Sequence, residues 1–299
     1  MLNVYIWTHG LSDLSEGFGR VEQDDDRDQF ARWRDAGIDP ARPSMARVYD
    51  YWLGGTSNLT ADRQLAEAMA TRDPCIPAAC KANRAFLGRA VRYLAGQGIR
   101  QFLDIGSGIP AGPNVHQIAR QAAPGARVVY ADTDPAAVAD GRFMLADDDR
   151  ATIIEADLRE PEAILSHQET RRLIDFGEPV GIILAAVLHF ILERHDPHAI
   201  VARLRDPAAP GSHLVISHAA SDNAALVEIT EKLYNDRAAD GQARTRAEIT
   251  RFFGDWDLAE PGLVWAPQWR PDAPDDVPAD PERYWFLAGA ARKRAPTCE

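Results

Sequence analysis

The chain has 299 residues and is 45% hydrophobic, which is enough to bury a sizeable core in one large or two small domains. Its formal net charge of −12 argues against nucleic-acid binding and against an anionic membrane surface, because both need clustered Lys and Arg. The longest apolar run, Val180 to Leu192, is shorter than the roughly 20 residues that span a bilayer. The first ten residues lack the basic region of a secretory signal and the cysteines are few, so we expect a cytoplasmic protein.

Composition along the chain predicts four parts. They are a poorly ordered N-terminal segment, a helical cap or lid, a core and a short tail, at residues 1–41, 42–98, 99–293 and 294–299. The first part contains the charged stretch EQDDDRDQ, which is typical of disorder. The second ends in CKANRAFLGRAVRYL, whose apolar residues have helical spacing and which precedes Gly96 and Gly98.

From residue 99 onward, apolar runs alternate with helical patterns. The runs predict strands at 99–105, 126–132, 151–157, 179–187 and 211–218, and the patterns predict helices at 114–122, 135–146, 161–173 and 197–204. Nearly continuous apolar strands indicate a parallel sheet that helices cover on both faces. The alternation therefore predicts an α/β fold with a doubly wound, mostly parallel, Rossmann-like sheet.

The C-terminal part departs from this alternation. Helices are predicted at 221–237 and 246–256, and strands at 258–269 and 283–293. The two strands follow one another with only a proline- and aspartate-rich loop between them, so we expect an antiparallel pair at one edge of a sheet of about seven strands.

A glycine-rich turn follows the first strand of the core. Gly106, Gly108 and Gly112 allow a sharp turn and a close approach to a ligand, although such a turn is weak evidence by itself. Two carboxylates add to the evidence for a ligand site, because Asp132 and Asp157 end the next two predicted strands. Ligands of parallel sheets bind beyond these strand ends, so the sequence predicts a site there.

Asp104, at the end of the first strand, discriminates between cofactors. Asp132 suits a ribose in either a dinucleotide or an adenosyl cofactor. A carboxylate at position 104 would repel the pyrophosphate of NAD in a cleft of low dielectric, but it would attract a cation. S-adenosylmethionine carries a sulfonium and an ammonium and no phosphate, so the pattern favours it.

These motifs carry a family resemblance. D-I-G-S-G, V-V-Y-A-D and E-A-D-L resemble the successive motifs of class I S-adenosylmethionine-dependent methyltransferases. More narrowly, P-S-M-A-R-V-Y-D-Y-W-L-G-G-T-S-N, A-N-R-A-F-L and A-V-L-H-F-I resemble an actinobacterial S-adenosyl methyltransferase family, formerly a domain of unknown function. The resemblance covers roughly residues 38–293 and implies the methyltransferase fold and its cofactor, but no acceptor.

The resemblance also implies roles for individual residues. The methionine moiety would contact Asp104, Gly106, Ser107 and Gly108, and the ribose hydroxyls would contact Asp132. The adenine would contact Asp157 and Leu158, and Ala185 to Leu188 would line the pocket below the sulfonium. Pro110 departs from the commonest glycine pattern of these enzymes, which weakens the motif slightly.

Two further segments are candidates for the site. Tyr49 and Tyr51 precede Gly54-Gly55, and we interpret this segment as a lid over the cofactor with a glycine hinge. An aromatic packing segment is the alternative. Arg84 would reach the cofactor carboxylate, or else it is an exposed helix residue.

Histidines near the ends of the fourth and fifth strands are candidates for catalysis. His189 is the candidate general base, with a core or strand-end histidine as the alternative, and His218 is a second candidate. The histidines lack the spacing of metal ligands and no cysteine joins them, so we expect no metal site.

The sequence as a whole predicts a methyltransferase with a small-molecule acceptor. No Asn/Asp-Pro-Pro-aromatic motif follows the fourth strand, which disfavours methylation of amino groups on DNA or of protein glutamine. A regulatory or sensing module that binds S-adenosylmethionine without catalysis is the alternative from another class, and a NAD-linked oxidoreductase is a lesser one. The sequence leaves the acceptor, the pathway and the oligomeric state open.

Overall fold

The computed structural model describes residues 29–220 and 241–295. Its elements are the helices α1 (Met45–Leu53), α2 (Thr60–Arg72), α3 (Ile76–Gly96), α4 (Val115–Ala122), α5 (Pro135–Met144), α6 (Pro161–Ser166), α7 (Gln168–Leu173), α8 (Pro197–Arg205) and α9 (Arg246–Arg251) and the strands β1 (Gln101–Ile105), β2 (Arg127–Asp132), β3 (Ala151–Glu155), β4 (Gly181–Ala185), β5 (His213–Ala219), β6 (Asp257–Leu258), β7 (Val264–Trp265) and β8 (Phe286–Arg292). A further helical stretch covers residues 29–35.

The strands form one mixed sheet in the order β3-β2-β1-β4-β5-β8-β6, and β7 also pairs with β8. Strands β1 to β5 are parallel to one another, and β8 is antiparallel to β5. This confirms the predicted α/β class, the doubly wound parallel part and the antiparallel C-terminal strands. The chain runs outward from β1 to β3 and then returns to place β4 beside β1, which opens a crevice between these two strands at their carboxyl ends.

Apolar residues on both faces of the sheet form the core. Phe102 belongs to the hydrophobic cluster on one face and Leu103 to the cluster on the other, and Val128 and Val129 repeat this alternation on β2. Successive side chains of a strand point to opposite faces, so a strand that helices cover on both sides must be apolar throughout. This is why the interior strands were predictable as continuous apolar runs.

Two predicted elements differ markedly from the structure. The predicted helix 161–173 is two helices, α6 and α7, with His167 between them in an extended conformation. The predicted strand 258–269 is only β6 and β7, because Pro261 has no N–H to donate and Gly262 turns the chain at a φ of +88°. The predicted helix 221–237 lies outside the described residues.

The N-terminal segment is ordered where the structure describes it. Trp33 is 2% exposed and packs with Ile109 and Ala136, and its Nε1 donates a hydrogen bond to Asp140 at 3.1 Å. The prediction of a poorly ordered segment is therefore wrong for residues 29–41. The charged composition that suggested disorder lies mainly upstream, whereas Trp33, Gln29 and Arg32 attach this helix to Asp140 on α5.

We expect Trp33→Ala to lower the free energy of unfolding by about 3 kcal/mol, because truncation of a buried indole loses apolar burial and leaves a cavity. Urea denaturation followed by circular dichroism measures this. Arg34→Ala is the matched control, since Arg34 is the exposed neighbour on the same helix and its truncation should change the value by less than about 0.5 kcal/mol. If Trp33→Ala lowered the free energy of unfolding as little as Arg34→Ala does, the packing of this helix would contribute nothing to stability.

Candidate functional site

A cavity of about 710 Å³ opens at the carboxyl ends of the parallel strands. This volume lies within the range of small-molecule and cofactor sites, about 300–1,000 Å³. Of the residues that the sequence analysis selected, the following line it: Tyr49, Arg84, Asp104, Gly106, Ser107, Gly108, Asp132, Asp157, Leu158, Ala185 and His189. Tyr51 and Leu188 do not.

The turn after β1 depends on two glycines with positive φ angles. Gly106 has a φ of +72° and Gly108 a φ of +67°, a region that other residues rarely adopt. A Cβ atom on Gly106 would also lie 2.3 Å from Cγ2 of Val187, which follows β4. Any side chain at position 106 would therefore push apart the two strand ends that bound the crevice.

Asp104 is a buried carboxylate at the cavity wall. Its side chain is on β1, and the residue is 4% exposed. Burial raises the pKa of Asp104 to about 7, and the nearby Asp132 carboxylate adds to this rise, while the Arg84 guanidinium opposes it. A cationic group in the cavity would stabilise the ionised form, as the sequence analysis expected of this position.

Both carboxylate oxygens of Asp132 are held by backbone N–H groups. Gly108 N–H donates to Oδ2 at 2.7 Å, and Asp134 N–H donates to Oδ1 at 2.8 Å. Each carboxylate oxygen can accept more than one hydrogen bond, so Asp132 can still accept from a ligand. The glycine turn and the loop after β2 thus orient this carboxylate before any ligand arrives.

Asp157 lies two residues beyond the end of β3, so the prediction that it ends this strand is wrong. It forms an ion pair with Arg159 and accepts the Arg159 N–H at 2.8 Å, and the guanidinium lowers the pKa of Asp157. The neighbouring Leu158 is 4% exposed. Here an ionised carboxylate and an apolar side chain share one rim of the cavity, which suits a flat heteroaromatic ring with an exocyclic amine.

Arg84 is neither free nor simply exposed. Its guanidinium donates hydrogen bonds to the carbonyl oxygen of Ala111, to that of Pro113 at 2.9 Å and to Asn114 Oδ1 at 3.2 Å. These bonds attach α3 to the loop that follows the glycine turn. Arg84 therefore contributes positive charge to the cavity wall while it also supports the shape of that loop.

The two tyrosines of the predicted lid have different environments. Tyr49 lines the cavity, donates its hydroxyl to the Cys80 carbonyl oxygen at 2.9 Å and accepts from Asn83 Nδ2 at 2.9 Å. Tyr51 lies outside the cavity and donates to Glu67 at 3.1 Å. Tyr51 is two residues from Tyr49 on α1, a spacing that places them on different faces of a helix, so the assignment of Tyr51 to the site is wrong.

The Gly54-Gly55 pair has a structural explanation. Gly54 ends α1 in the left-handed region with a φ of +87°. A Cβ atom on Gly55 would lie 2.0 Å from Asp50 Oδ1, so the backbone must be bare there. Both glycines are thus required by the static structure, and the hinge stays a prediction.

The turn after β4 holds the residues that the resemblance places below the sulfonium. Ala186 has a φ of +54°, uncommon for a residue with a Cβ, and its N–H donates to Ser217 Oγ at 2.9 Å on β5. His189 follows in a short 3₁₀ helix and is 4% exposed. Burial lowers the pKa of His189 to about 3, and the nearby Arg244 guanidinium adds to this effect. His189 is therefore a neutral imidazole and a weak base at pH 7.

His218 is a structural residue. It is fully buried behind His189, and Arg244 Nη1 donates to its Nε2 at 2.9 Å. Its Nδ1 must then carry the proton and donate to the Ala219 carbonyl oxygen at 2.8 Å. Burial, His189 and Arg244 lower the pKa of His218 well below its ordinary value, so the imidazole is neutral and fully hydrogen-bonded.

Sequence reasoning missed several residues of the cavity wall. Among them are Ser44, Asn83 and Trp285, together with Gly37, Ile38, Asp39, Arg42 and Pro43. Asn83 belongs to the A-N-R-A-F-L segment that carried the resemblance, so a signal was present. Trp285 lies at the start of β8, far from the motifs in the chain, and only the tertiary structure brings it to the site.

The cavity fits S-adenosylmethionine. Buried Asp104 suits a cation, the bare turn at Gly106 and Gly108 allows close approach of a ligand, and the carboxylate of Asp132 is held where it can accept a further hydrogen bond. The Ser107 hydroxyl is buried and has no partner within residues 29–220 and 241–295, so it is available to a ligand. Within the same ranges, every helix is too short or too polar to cross a membrane.

Comparison with known proteins identifies relatives. A crystal structure of a candidate methyltransferase from Thermobifida fusca is 41% identical with a TM-score of 0.83, and the match covers 87% of this chain and 98% of that one. A DUF574 family protein from Streptomyces avermitilis is 38% identical with a TM-score of 0.81, over 84% of this chain and 98% of that one. No curated protein matches.

A sequence model of the family described as S-adenosyl methyltransferase matches residues 31–294, which is most of the chain. Together with the two solved relatives, this agrees with the resemblance seen in the motifs and with the fit of the cavity to the cofactor. The chain belongs to the S-adenosyl methyltransferase family and is an S-adenosylmethionine-dependent methyltransferase.

Proposed function

We propose that this enzyme methylates a small molecule that binds in the aromatic half of the cavity. The observation that carries the proposal is the enclosure of the cavity by the chain's own N-terminal helices. Tyr49 and Trp52 on α1 and Cys80 and Leu87 on α3 line it opposite the strand ends. A space of about 710 Å³ suits a small molecule beside the cofactor, whereas a folded protein or a nucleic-acid duplex would have to insert a single protruding group into it.

The wall of the cavity has two chemically different halves. The carboxylates of Asp104, Asp132 and Asp157 lie at the ends of β1 to β3, and we assign this acidic half to the cofactor. The other half has aromatic side chains on α1, after β4 and at the start of β8, namely Tyr49, Trp52, Phe190, Trp285 and Phe286. We assign this aromatic half to the acceptor.

Trp285 supports the assignment of the aromatic half. It has a φ of +64°, which strains a residue with a bulky side chain, and its Nε1 donates to Asp73 at 2.8 Å. Backbone strain of this kind persists where the surroundings demand one side-chain position, and it concentrates at ligand sites. Here it directs a buried indole at the cavity wall.

Two buried polar atoms without a partner among the described residues lie in this half. Asn83 Oδ1 and His189 Nδ1 are both buried, and in the part of the chain that the structure describes neither has a hydrogen-bond partner. A buried polar atom without a partner costs about 1–3 kcal/mol, so each favours a ligand that can pair with it. We therefore expect an acceptor with an apolar body and an O–H or N–H group.

The enzyme's contribution to the reaction is chiefly positioning. Bound S-adenosylmethionine supplies an electrophilic methyl group on its sulfonium. The residues of this chain orient the two reactants and exclude water, which lowers the barrier of a direct displacement. His189 is too weak a base at neutral pH to remove a proton from a neutral alcohol, so we assign it to orienting the acceptor by a hydrogen bond.

The alternatives explain the site less well. A non-catalytic sensing module needs a place for the cofactor but not a second, aromatic half with unpaired polar atoms. A NAD-linked oxidoreductase would have to bring a pyrophosphate past buried Asp104.

The acceptor assignment is tested with methyl-labelled S-adenosylmethionine and a cell extract separated into small-molecule and macromolecular fractions. We expect label in the small-molecule fraction. Asn83→Leu, which has a similar volume without the polar atom, should lower this transfer at least about tenfold while affinity for S-adenosylhomocysteine changes less than about twofold. Arg34→Ala is the control for a harmless substitution. Label confined to proteins or nucleic acids would contradict the proposal.

The assignment of Asp104 to the cofactor's cationic end predicts a pH dependence of binding. Asp104 has a raised pKa of about 7, so it is mostly neutral at pH 6 and mostly ionised at pH 8 in the free protein. A cation binds the ionised form, so affinity rises as the pH rises through this pKa. We expect S-adenosylhomocysteine to bind about tenfold more tightly at pH 8 than at pH 6 in calorimetry.

Asp104→Asn is the control for this prediction. The amide cannot ionise, so binding should be weaker than in the wild type at pH 8 and should lose most of its pH dependence. An Asn variant that keeps both the affinity and the pH dependence would exclude Asp104 from the cofactor site.

A further inference from the structure

Ser44 occupies the N-cap position of α1 but does not cap the helix. Its backbone is extended, with a φ of −122° and a ψ of 139°, and its side chain accepts no hydrogen bond from the first turn. A serine at this position normally accepts such a bond, which stabilises the helix. Here the Ser44 hydroxyl instead donates to Asp134 Oδ2 in the loop after β2.

Asp134 connects this hydroxyl to the proposed ribose site. Its backbone N–H donates to Asp132 Oδ1 at 2.8 Å, and its Oδ1 accepts from Ala136 N–H at 2.8 Å to cap α5. The other oxygen of Asp132 accepts from Gly108 N–H at 2.7 Å. The hydroxyl of Ser44 is thus two hydrogen bonds away from the carboxylate that the glycine turn orients.

On its other side, Ser44 is attached to a buried ion pair. Its backbone N–H donates to Asp62 Oδ1 at 2.9 Å. Asp62 Oδ2 accepts from Arg47 Nε at 2.8 Å and from Leu59 N–H at 2.7 Å. Asp62 is fully buried and Arg47 is 3% exposed. The backbone of Ser44 is therefore fixed to a buried ion pair between α1 and α2.

We propose that Ser44 is a positioning residue for the cofactor, which couples the N-terminal helices to the ribose-binding carboxylate through the contacts Ser44–Asp134–Asp132. The proposal rests on the proposed assignment of Asp132 to the ribose. Ser44 acts through Asp134. Its hydroxyl binds the loop after β2 and therefore does not cap α1. Coupling is reciprocal, so the cofactor in turn stabilises the placement of α1 and α2.

Calorimetry with S-adenosylhomocysteine on the full chain tests this. We expect Ser44→Ala to weaken binding about fivefold, within the range of typical coupling between sites. Ser44→Asp separates the two roles of the residue. Aspartate is a good N-cap, but it cannot donate to Asp134 and places a second negative charge beside it. A capping role predicts that Asp restores binding, whereas our proposal predicts a loss at least as large as with Ala.

Thr71→Ala is the matched control. Thr71 is on α2, and its hydroxyl donates only a local bond to the Glu67 carbonyl oxygen at 2.8 Å on the exposed face. Loss of this hydroxyl should leave the affinity for S-adenosylhomocysteine unchanged. An equal loss of affinity in Thr71→Ala and Ser44→Ala would overturn the proposal, since any hydroxyl of the cap would then have the same effect.

A cycle with Asp132→Ala separates the failure of this inference from that of the proposed cofactor placement. If Ser44 acts through Asp132, Ser44→Ala changes affinity in the wild type but not in the Asp132→Ala background. Equal effects in both backgrounds would overturn the role of Ser44 alone. An Asp132→Ala variant with wild-type affinity would instead overturn the ribose assignment itself.

Hydrogen exchange in the wild-type protein gives a test that needs no variant to fold. Within the described residues, α2 contributes no side chain to the cavity wall, so a ligand does not contact it directly. We expect saturating S-adenosylhomocysteine to slow amide exchange in α2 several-fold, because the Ser44–Asp62 contact transmits the stabilisation. Exchange in α2 that is identical with and without the ligand would overturn the coupling.

Discussion

The close approach of Gly106 to Val187 is the contact on which the site depends. It joins the ends of β1 and β4 where the strand order reverses. The Val187 side chain leaves no room for a Cβ atom at position 106. A parallel sheet that turns back beside its first strand leaves a crevice there. Because the glycine keeps the two turns close together, Asp104 on one strand and Ala185 on the other face the same cavity.

Electrostatics then divides this cavity. Carboxylates gather at the ends of β1 to β3, where burial raises the pKa of Asp104 and of Asp132, while Arg159 lowers that of Asp157. A cationic cofactor without phosphate offsets the free-energy cost of burying this negative charge. A dinucleotide site could not tolerate an aspartate at the end of β1, because the carboxylate would repel the pyrophosphate. In the other half, aromatic side chains surround buried Asp50 on α1, and we propose that this half determines the specificity for the acceptor.

The N-terminal helices are part of the site. They close the cavity with Tyr49 and Trp52, and the hydrogen bond of Ser44 to Asp134 ties them to the loop after β2. The buried Arg47–Asp62 ion pair holds α1 against α2. The Asp62 carboxylate also accepts a backbone N–H, and a buried ion pair needs such additional hydrogen bonds. We propose that these contacts let the N-terminal helices respond to the cofactor together with the sheet.

The sequence by itself determined the α/β class, the order of the parallel strands along the chain, the glycine turn and the carboxylates near the strand ends, because apolar runs, glycines and acidic residues are local signals. It did not determine that Tyr51 faces away from the cavity, that residues 29–41 are folded or that Trp285 lines the cavity. Those outcomes depend on which side chains meet after folding: Tyr51 with Glu67, Trp33 with Asp140, and Trp285 with Asp73. The last pair joins residues 212 positions apart, and no local pattern encodes such a contact.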